Sequence, residues 1–242
     1  MSAERAGSQG EDERRRRMIQ LGSAAAFLAI VVVAVLIVIG QTGTDGGDTD
    51  LEGTAEVKQE LAGIPQDELV LGDPAAPVAL VEFGDLQCPV CKGFSEEVIP
   101  EVIESKVRSG EARIEFRNFT IISEESIPAA AAAIAAGKQG HGWDFVELFY
   151  RNQGIERSGY VSDEFLTEIA RGAGVGDIPK WNADRESRRV LSEVTSETRE
   201  AERLELEGTP SFTVEGPRSK GPQVLGTPGS AGELEAAIDA AR

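Results

Sequence analysis

The chain has 242 residues, enough for one sizeable domain plus an anchor and a tether. Its formal net charge is −18, although the first twenty residues hold five Arg against four acidic residues, so the acidity belongs to the remainder. Such an exterior argues against nucleic acid or anionic lipid as the main partner.

Residues 1–18 are polar and end in the run Arg14–Arg17, which reads as a cytoplasmic basic segment. Leu21–Ile39 follows without a charge, nineteen residues that would span about 28 Å as a helix, close to the hydrocarbon thickness of a bilayer. We expect residues 19–40 to be an uncleaved transmembrane anchor. The alternative, a cleaved signal peptide, has a shorter apolar core of about 7–15 residues and a small-x-small site, and Val38-Ile39-Gly40 matches that poorly. With the basic cluster held inside, the C-terminal bulk lies outside the cytoplasm. Residues 41–60 are Gly-, Thr- and Asp-rich at their start and read as a flexible linker.

The folded domain is expected over 61–242. Val78–Phe83 is a short apolar strand, followed by a helical pattern from Pro89 to about Val107, with Phe94, Val98, Val102 and Ile103 at three- and four-residue intervals. Ala112–Phe119 alternates as a second strand. From about 121 to 207 the pattern is helical: Ile127–Lys138, Trp143–Asn152, Asp163–Arg171, and a long charged helix over Ala183–Glu205 whose apolar stripe is Leu191, Val194, Ala201 and Leu204. Two short strands, Ser211–Val214 and Gln223–Leu225, and a closing helix, Ala231–Ala241, complete a mixed α/β sheet carrying a large helical insertion.

The chemistry centres on the only two cysteines, in the stretch Cys88-Pro89-Val90-Cys91 at a strand-to-helix turn. So short a loop is a poor structural staple. A structural zinc site needs four ligands, and beyond the pair only His141 could join as a third Cys or His. A thioredoxin-like redox site remains. Disulfide exchange needs an attacking thiolate and a second thiol to resolve the mixed disulfide, and no cofactor. Cys88 sits where unpaired helix N–H groups and the dipole favour its anion, Pro89 suits the first helical turn, and Cys91 lies one turn deeper as the resolving thiol. Glu82 shares a strand face with Val78 and Leu80, so its carboxylate stands in an apolar row. Buried there, it would hold a proton for exchange; at a sheet edge it would turn to water instead. Asp85 reads as a loop or cap residue. His141 reads as a helix-start residue.

The segments Gly72–Cys91 (GDPAAPVALVEFGDLQCPVC), Arg117–Phe119 (RNF), Ala129–Gln153 (AAAAAIAAGKQGHGWDFVELFYRNQ) and Gly208–Val214 (GTPSFTV), taken in that order, resemble the DsbA family of membrane-tethered thiol-disulfide oxidoreductases. The resemblance implies a thioredoxin-like fold with a helical domain inserted between the second and third core strands. It implies that Cys88 is the exposed nucleophile, Cys91 its buried partner and Glu82 the acidic proton relay. It implies further that Thr209-Pro210 forms the cis-proline loop, which binds substrate together with Pro89 and Val90. The chain departs from the C-P-H-C version of the motif in carrying Val90 in place of His.

The function expected is therefore an extracytoplasmic thiol-disulfide oxidoreductase that donates disulfides to exported, thiol-bearing proteins and is reoxidised by a membrane partner. The alternatives are a reductase or isomerase in the same compartment and, from another class, a tethered peptide-binding chaperone without redox turnover. The intact cysteine pair argues against the chaperone.

Overall fold

The computed structural model describes residues 51–242. The basic segment, the expected anchor and the first half of the expected linker, residues 41–50, lie outside the described residues. Among the described residues no helix is long and apolar enough to cross a membrane.

Six strands form one sheet in the order β1-β2-β4-β3-β5-β6. The strands are β1 (Gln66–Asp67), β2 (Val70–Leu71), β3 (Val78–Gly84), β4 (Ala112–Asn118), β5 (Ser211–Glu215) and β6 (Gln223–Gly226). The central strand β3 pairs in parallel with β4, Val78 opposite Ala112 and Gly84 opposite Asn118. On its other side β3 runs antiparallel to β5, with Leu80 opposite Val214 and Glu82 opposite Phe212. Parallel neighbours need a crossover, supplied here by α2 (Pro89–Glu97), α3 (Ile99–Val102) and a single π turn over Ile103–Val107. Pro100 divides what the sequence pattern presents as one helix, because its ring denies the preceding turn a backbone donor and crowds it.

Between β4 and β5 lie α4 (Ser126–Gly137), α5 (Gly142–Arg151), α6 (Asp163–Gly172), α7 (Ile178–Arg185) and α8 (Arg188–Arg203). The closing helix is α9 (Ala231–Ala241). Helix α4 is buried along Ala129–Ala136, and its small side chains let α5, α7 and α8 pack on it together. Trp181 of α7 donates its indole N–H to the Ala132 carbonyl at 2.9 Å, which satisfies the ring's one polar group inside the core. The β1–β2 hairpin docks on α5 through Trp143, whose indole donates to the Leu69 carbonyl at 2.8 Å. Gly142 sits against the Glu68 backbone where no Cβ would fit.

Three sequence expectations need correction. The linker ends earlier than residue 60, because Thr54–Leu61 forms helix α1, with Val57 and Leu61 buried in the main core. The long helix over Ala183–Glu205 is two helices: the Ser187 hydroxyl accepts from the Val190 N–H at 3.2 Å and starts α8 afresh. Its buried stripe is Val190, Val194 and Ala201, while Leu191 faces out at 39% exposure.

The two faces of β3 serve different cores. Val78, Leu80 and Glu82 point into the large core shared with α2 and the insertion. Phe83 points the other way, into a smaller cluster with Phe119, Ala201 and Leu206. The alternation thus places the one carboxyl of the strand on the same side as the cysteines.

Candidate active site

Strand β3 ends at Gly84, where a Cβ would strike the Phe116 ring and the Tyr150 hydroxyl. The chain then turns through Asp85–Gln87 into α2. Asp85 organises this turn from a buried position. Its Oδ1 accepts from the Gln87 N–H at 2.9 Å, and its Oδ2 accepts from the N–H groups of Ile121 and Ile122, each at 2.9 Å. Its carbonyl accepts from the Cys88 N–H at 2.8 Å and from the Tyr150 hydroxyl at 3.2 Å. The expectation of a loop residue holds, with the addition that Asp85 joins the turn before the cysteines to the loop after β4.

The helical insertion grips the same turn. Gln153 donates to the carbonyls of Leu86 at 2.7 Å and Cys88 at 3.2 Å. Gln87 donates to Ser123 Oγ at 2.7 Å and accepts from the Arg157 N–H at 3.0 Å. Sequence reasoning passed over Gln87, Gln153 and Tyr150, because a polar side chain that braces a loop leaves no periodic signal.

Cys88 is the N-cap of α2 and Pro89 its first residue. The Cys91 N–H donates to the Cys88 sulfur at 3.5 Å, and the Cys88 thiol donates to the Thr209 carbonyl at 3.4 Å. The peptide bond between Thr209 and Pro210 is cis. The Thr209 carbonyl, 121 positions further along the chain, is therefore brought to the Cys88 sulfur, with Pro210 next to it in sequence. Both cysteines are free thiols, Cys91 fully buried and Cys88 covered at 4% exposure, which corrects the expectation of an exposed Cys88: the Thr209 loop lies over its sulfur. Pro89 and Val90 are exposed, Val90 at 52%.

The two sulfurs are pushed in opposite directions. The Cys88 thiol is lowered to about 6, chiefly by the hydrogen bond from the Cys91 thiol, with the Thr209 side chain and the N–H groups of Cys91 and Val90 adding to it and burial opposing it. Cys91 is raised well above its ordinary value by burial first, then by its bond to Cys88 and the charges of Cys88 and Glu82. Glu82 is buried at 2% exposure, which excludes the edge position, and burial followed by the Cys88 charge raises its carboxyl to about 8. Its Oε1 has no hydrogen-bond partner. This arrangement offers a sulfur that favours its anion at the helix N-terminus, a neutral sulfur one turn deeper, and a carboxylic acid that is mostly protonated at neutral pH behind both. His141 takes no part: it stands at the start of α5 and pairs with Asp144 at 3.2 Å.

A family profile described as Thioredoxin matches residues 65–240. "Probable disulfide bond formation protein D" of Bacillus cereus is 30% identical over 191 residues, covering 76% of this chain and 84% of that protein. Disulfide bond formation protein D of Bacillus subtilis (strain 168) is 29% identical over 175 residues, covering 71% of this chain and 74% of that protein. Among solved structures, oxidised BdbD from Bacillus subtilis superposes with a TM-score of 0.63 at 24% identity, over 73% of this chain and 95% of that one. Strand β3, the C-x-x-C turn, the inserted helices and the cis-proline loop all fall inside the matched region, and the chain belongs to the DsbA family of thioredoxin-like thiol-disulfide oxidoreductases.

Proposed function

We propose that this oxidoreductase works outside the cytoplasm as a disulfide donor to exported proteins, through Cys88, Cys91 and Glu82. The observation that carries the reading is the opposed tuning of the two sulfurs, Cys88 lowered to about 6 and Cys91 raised. A low-pKa sulfur stabilises the reduced protein, which makes its disulfide a better oxidant, and it is the better leaving group when product departs.

In the donor direction a substrate thiolate attacks Cys88 Sγ in the Cys88–Cys91 disulfide. The substrate–Cys88 bond forms, the Cys88–Cys91 bond breaks, and Cys91 leaves with the electron pair. Being buried and unfavourable as an anion, Cys91 takes the proton that Glu82 holds. A second substrate thiolate then attacks the substrate sulfur of the mixed disulfide, and Cys88 leaves as the thiolate its surroundings favour. Substrate is oxidised by two electrons, and the protein's dithiol requires reoxidation by a membrane redox partner. Exposed Val90, together with Ile155 at 80% exposure in the loop whose Gln153 and Arg157 brace the turn, supplies apolar surface for an unfolded chain beside Cys88. Thr209, Pro210 and Pro89 frame the same edge.

The extracytoplasmic location is supported by the uncharged run Leu21–Ile39 behind Arg14–Arg17. Protease added to spheroplasts should remove the Cys88 domain, and a protected domain would contradict that placement. The function itself is tested by adding the oxidised protein to a reduced, unfolded enzyme that needs disulfides. Activity should return, and Cys88→Ser should abolish the effect; recovery no faster than in air alone, or unaffected by Cys88→Ser, would refute it.

A further inference from the structure

Behind the cysteines lies a second buried carboxyl that the exchange steps above do not use. Glu147 sits on α5 at 1% exposure, and its Oε2 accepts from the Ser95 hydroxyl at 2.7 Å. Ser95 is buried on α2 one turn beyond Cys91, so the two share the inner face of that helix. One turn beyond Glu147 on α5, Arg151 donates to Glu60 Oε2 of α1 at 2.7 Å. The remaining oxygen of Glu60, Oε1, is buried without a partner, as is Oε1 of Glu82 at the inner end. Glu60 also lines an open groove of about 450 Å³ with Glu56, Gln59, Pro100, Ile103 and Arg108. Three acids, Glu82 on β3, Glu147 on α5 and Glu60 on α1, thus bear on one another behind Cys91, and Glu60 is the one that lines the open groove.

The groups that bear on Glu147 are Glu60 of α1, Glu82 of β3 and Arg151 of its own helix, while α2 presents the neutral Ser95. Burial, with the Glu60 charge next, raises Glu147 well above the carboxylate range against the pull of Ser95. Glu60 is raised by burial against Arg151 and Arg108. One hydroxyl hydrogen bond does not offset the burial of an ionised carboxylate, so the site favours the protonated form of Glu147. A residue serving only to fill this space would not need an ionisable group.

We propose that Glu147 is a positioning residue of thiol-disulfide exchange that acts through Glu82, replacing the proton Glu82 gives up and passing the deficit by way of Glu60 to solvent in the α1 groove. The step balances as a proton transfer. As Cys91 leaves, an S–H bond forms while the Glu82 O–H breaks, and within the same step the Glu147 O–H breaks to reprotonate Glu82, Glu147 being reprotonated from the Glu60 side. In the reverse reaction the proton of Cys91 leaves by the same route. Ser95 holds the Glu147 carboxyl in place. The inference rests on the redox reading of Cys88, Cys91 and Glu82.

The test uses the oxidised full-length protein and a peptide with a single thiol, and follows mixed-disulfide formation by rapid acid quench between pH 5.5 and 8.5, in light and heavy water. Glu147→Gln should slow the step about tenfold near neutral pH, part of the roughly 10²-fold or more that positioned proton transfer supplies. It should enlarge the solvent isotope effect and leave the equilibrium potential unchanged. Ser95→Ala, which keeps the carboxyl and removes its hydrogen bond, should fall between Glu147→Gln and wild type, and it decides the question if Glu147→Gln fails to fold. The double variant Glu82→Gln/Glu147→Gln should be no slower than Glu82→Gln alone, a coupling that a purely structural role would not produce. Rates within twofold of wild type for Glu147→Gln and Ser95→Ala across the pH range, or additive losses in the double variant, would overturn the inference while leaving the redox reading intact. Failure of the wild type to form the mixed disulfide would instead remove the redox reading itself.

Discussion

The Cys88 sulfur and the Thr209 carbonyl oxygen lie 3.4 Å apart, joined by a hydrogen bond across 121 positions of sequence. That contact places the loop before β5 over the N-terminus of α2, so Cys88 is enclosed by two segments, one from each end of the domain. The bond suits the thiol; once the sulfur ionises, its donors become the Cys91 thiol, the N–H groups of Cys91 and Val90, and the Thr209 side chain. The Thr209 hydroxyl oxygen is buried and otherwise without a partner, which leaves it available for the anion.

Thr209→Val keeps the shape of the side chain and removes that donor. The Cys88 thiolate should lose roughly half to one pKa unit of stabilisation, about 1 kcal/mol, with the fold unchanged. Thiolate absorbance at 240 nm across a pH titration of the reduced protein reads this directly. An unmoved titration would assign the lowered value to the helix terminus and Cys91 alone.

Glu82→Gln tests the buried acid in two ways. Below about pH 4.5 both folded and unfolded chains hold the proton and the carboxyl carries no penalty; as pH rises toward 8 the unfolded chain releases it first, so wild-type stability falls by about 1.4 kcal/mol per unit over that window. Gln has no such slope. The variant should gain at least about 2 kcal/mol on wild type between pH 5 and pH 8 in urea unfolding, while it releases Cys91 more slowly. An equal stability difference at the two pH values would mean that Glu82 ionises in the folded protein as it does in water.

Much of this was legible in the sequence because the signals are local. Strict alternation through Val78-Ala79-Leu80-Val81-Glu82 marked the face that Glu82 shares with the core, and the Cys-Pro pair marked the start of α2. The closing helix Ala231–Ala241 has the predicted bounds. What escaped depends on contacts across the chain. Val57 and Leu61 have helical spacing, but so short a helix becomes stable only when docked, here with Glu60 paired to Arg151 at 2.7 Å. The two-residue strands β1 and β2 exist because Trp143 and β4 receive them, and no window of sequence that short carries a period. Glu147 reads in sequence as one polar residue in an aromatic helix; only the fold turns it toward Ser95.

Gln153 provides a test of how the insertion supports the turn. Gln153→Ala removes the side-chain donor of the Leu86 carbonyl and leaves the Cys88 carbonyl with the Lys92 N–H alone, a loss of about 1–2 kcal/mol, or roughly 2–8 °C in melting temperature for a domain of this size. Because the turn carries Cys88, the exchange rate should fall along with stability. A melt unchanged from wild type would show that the turn is held by Asp85 and Gln87 without it.

The direction of the reaction turns on how far the Cys88 anion favours the reduced protein. A value of about 6 against 9.0 for an ordinary thiol stabilises the dithiol by about 1.4 kcal/mol at pH 7, equivalent to about 30 mV for a two-electron couple. Val90 contributes no charge or donor side chain to that stabilisation, unlike the His of the C-P-H-C motif. Equilibration of the protein with glutathione at pH 7 measures the outcome. The account predicts a reduction potential above the roughly −270 mV of thioredoxin and below the roughly −120 mV of the most oxidising DsbA proteins. A potential at or below thioredoxin's, with the pair found reduced in cells, would contradict disulfide donation and make the protein a reductase.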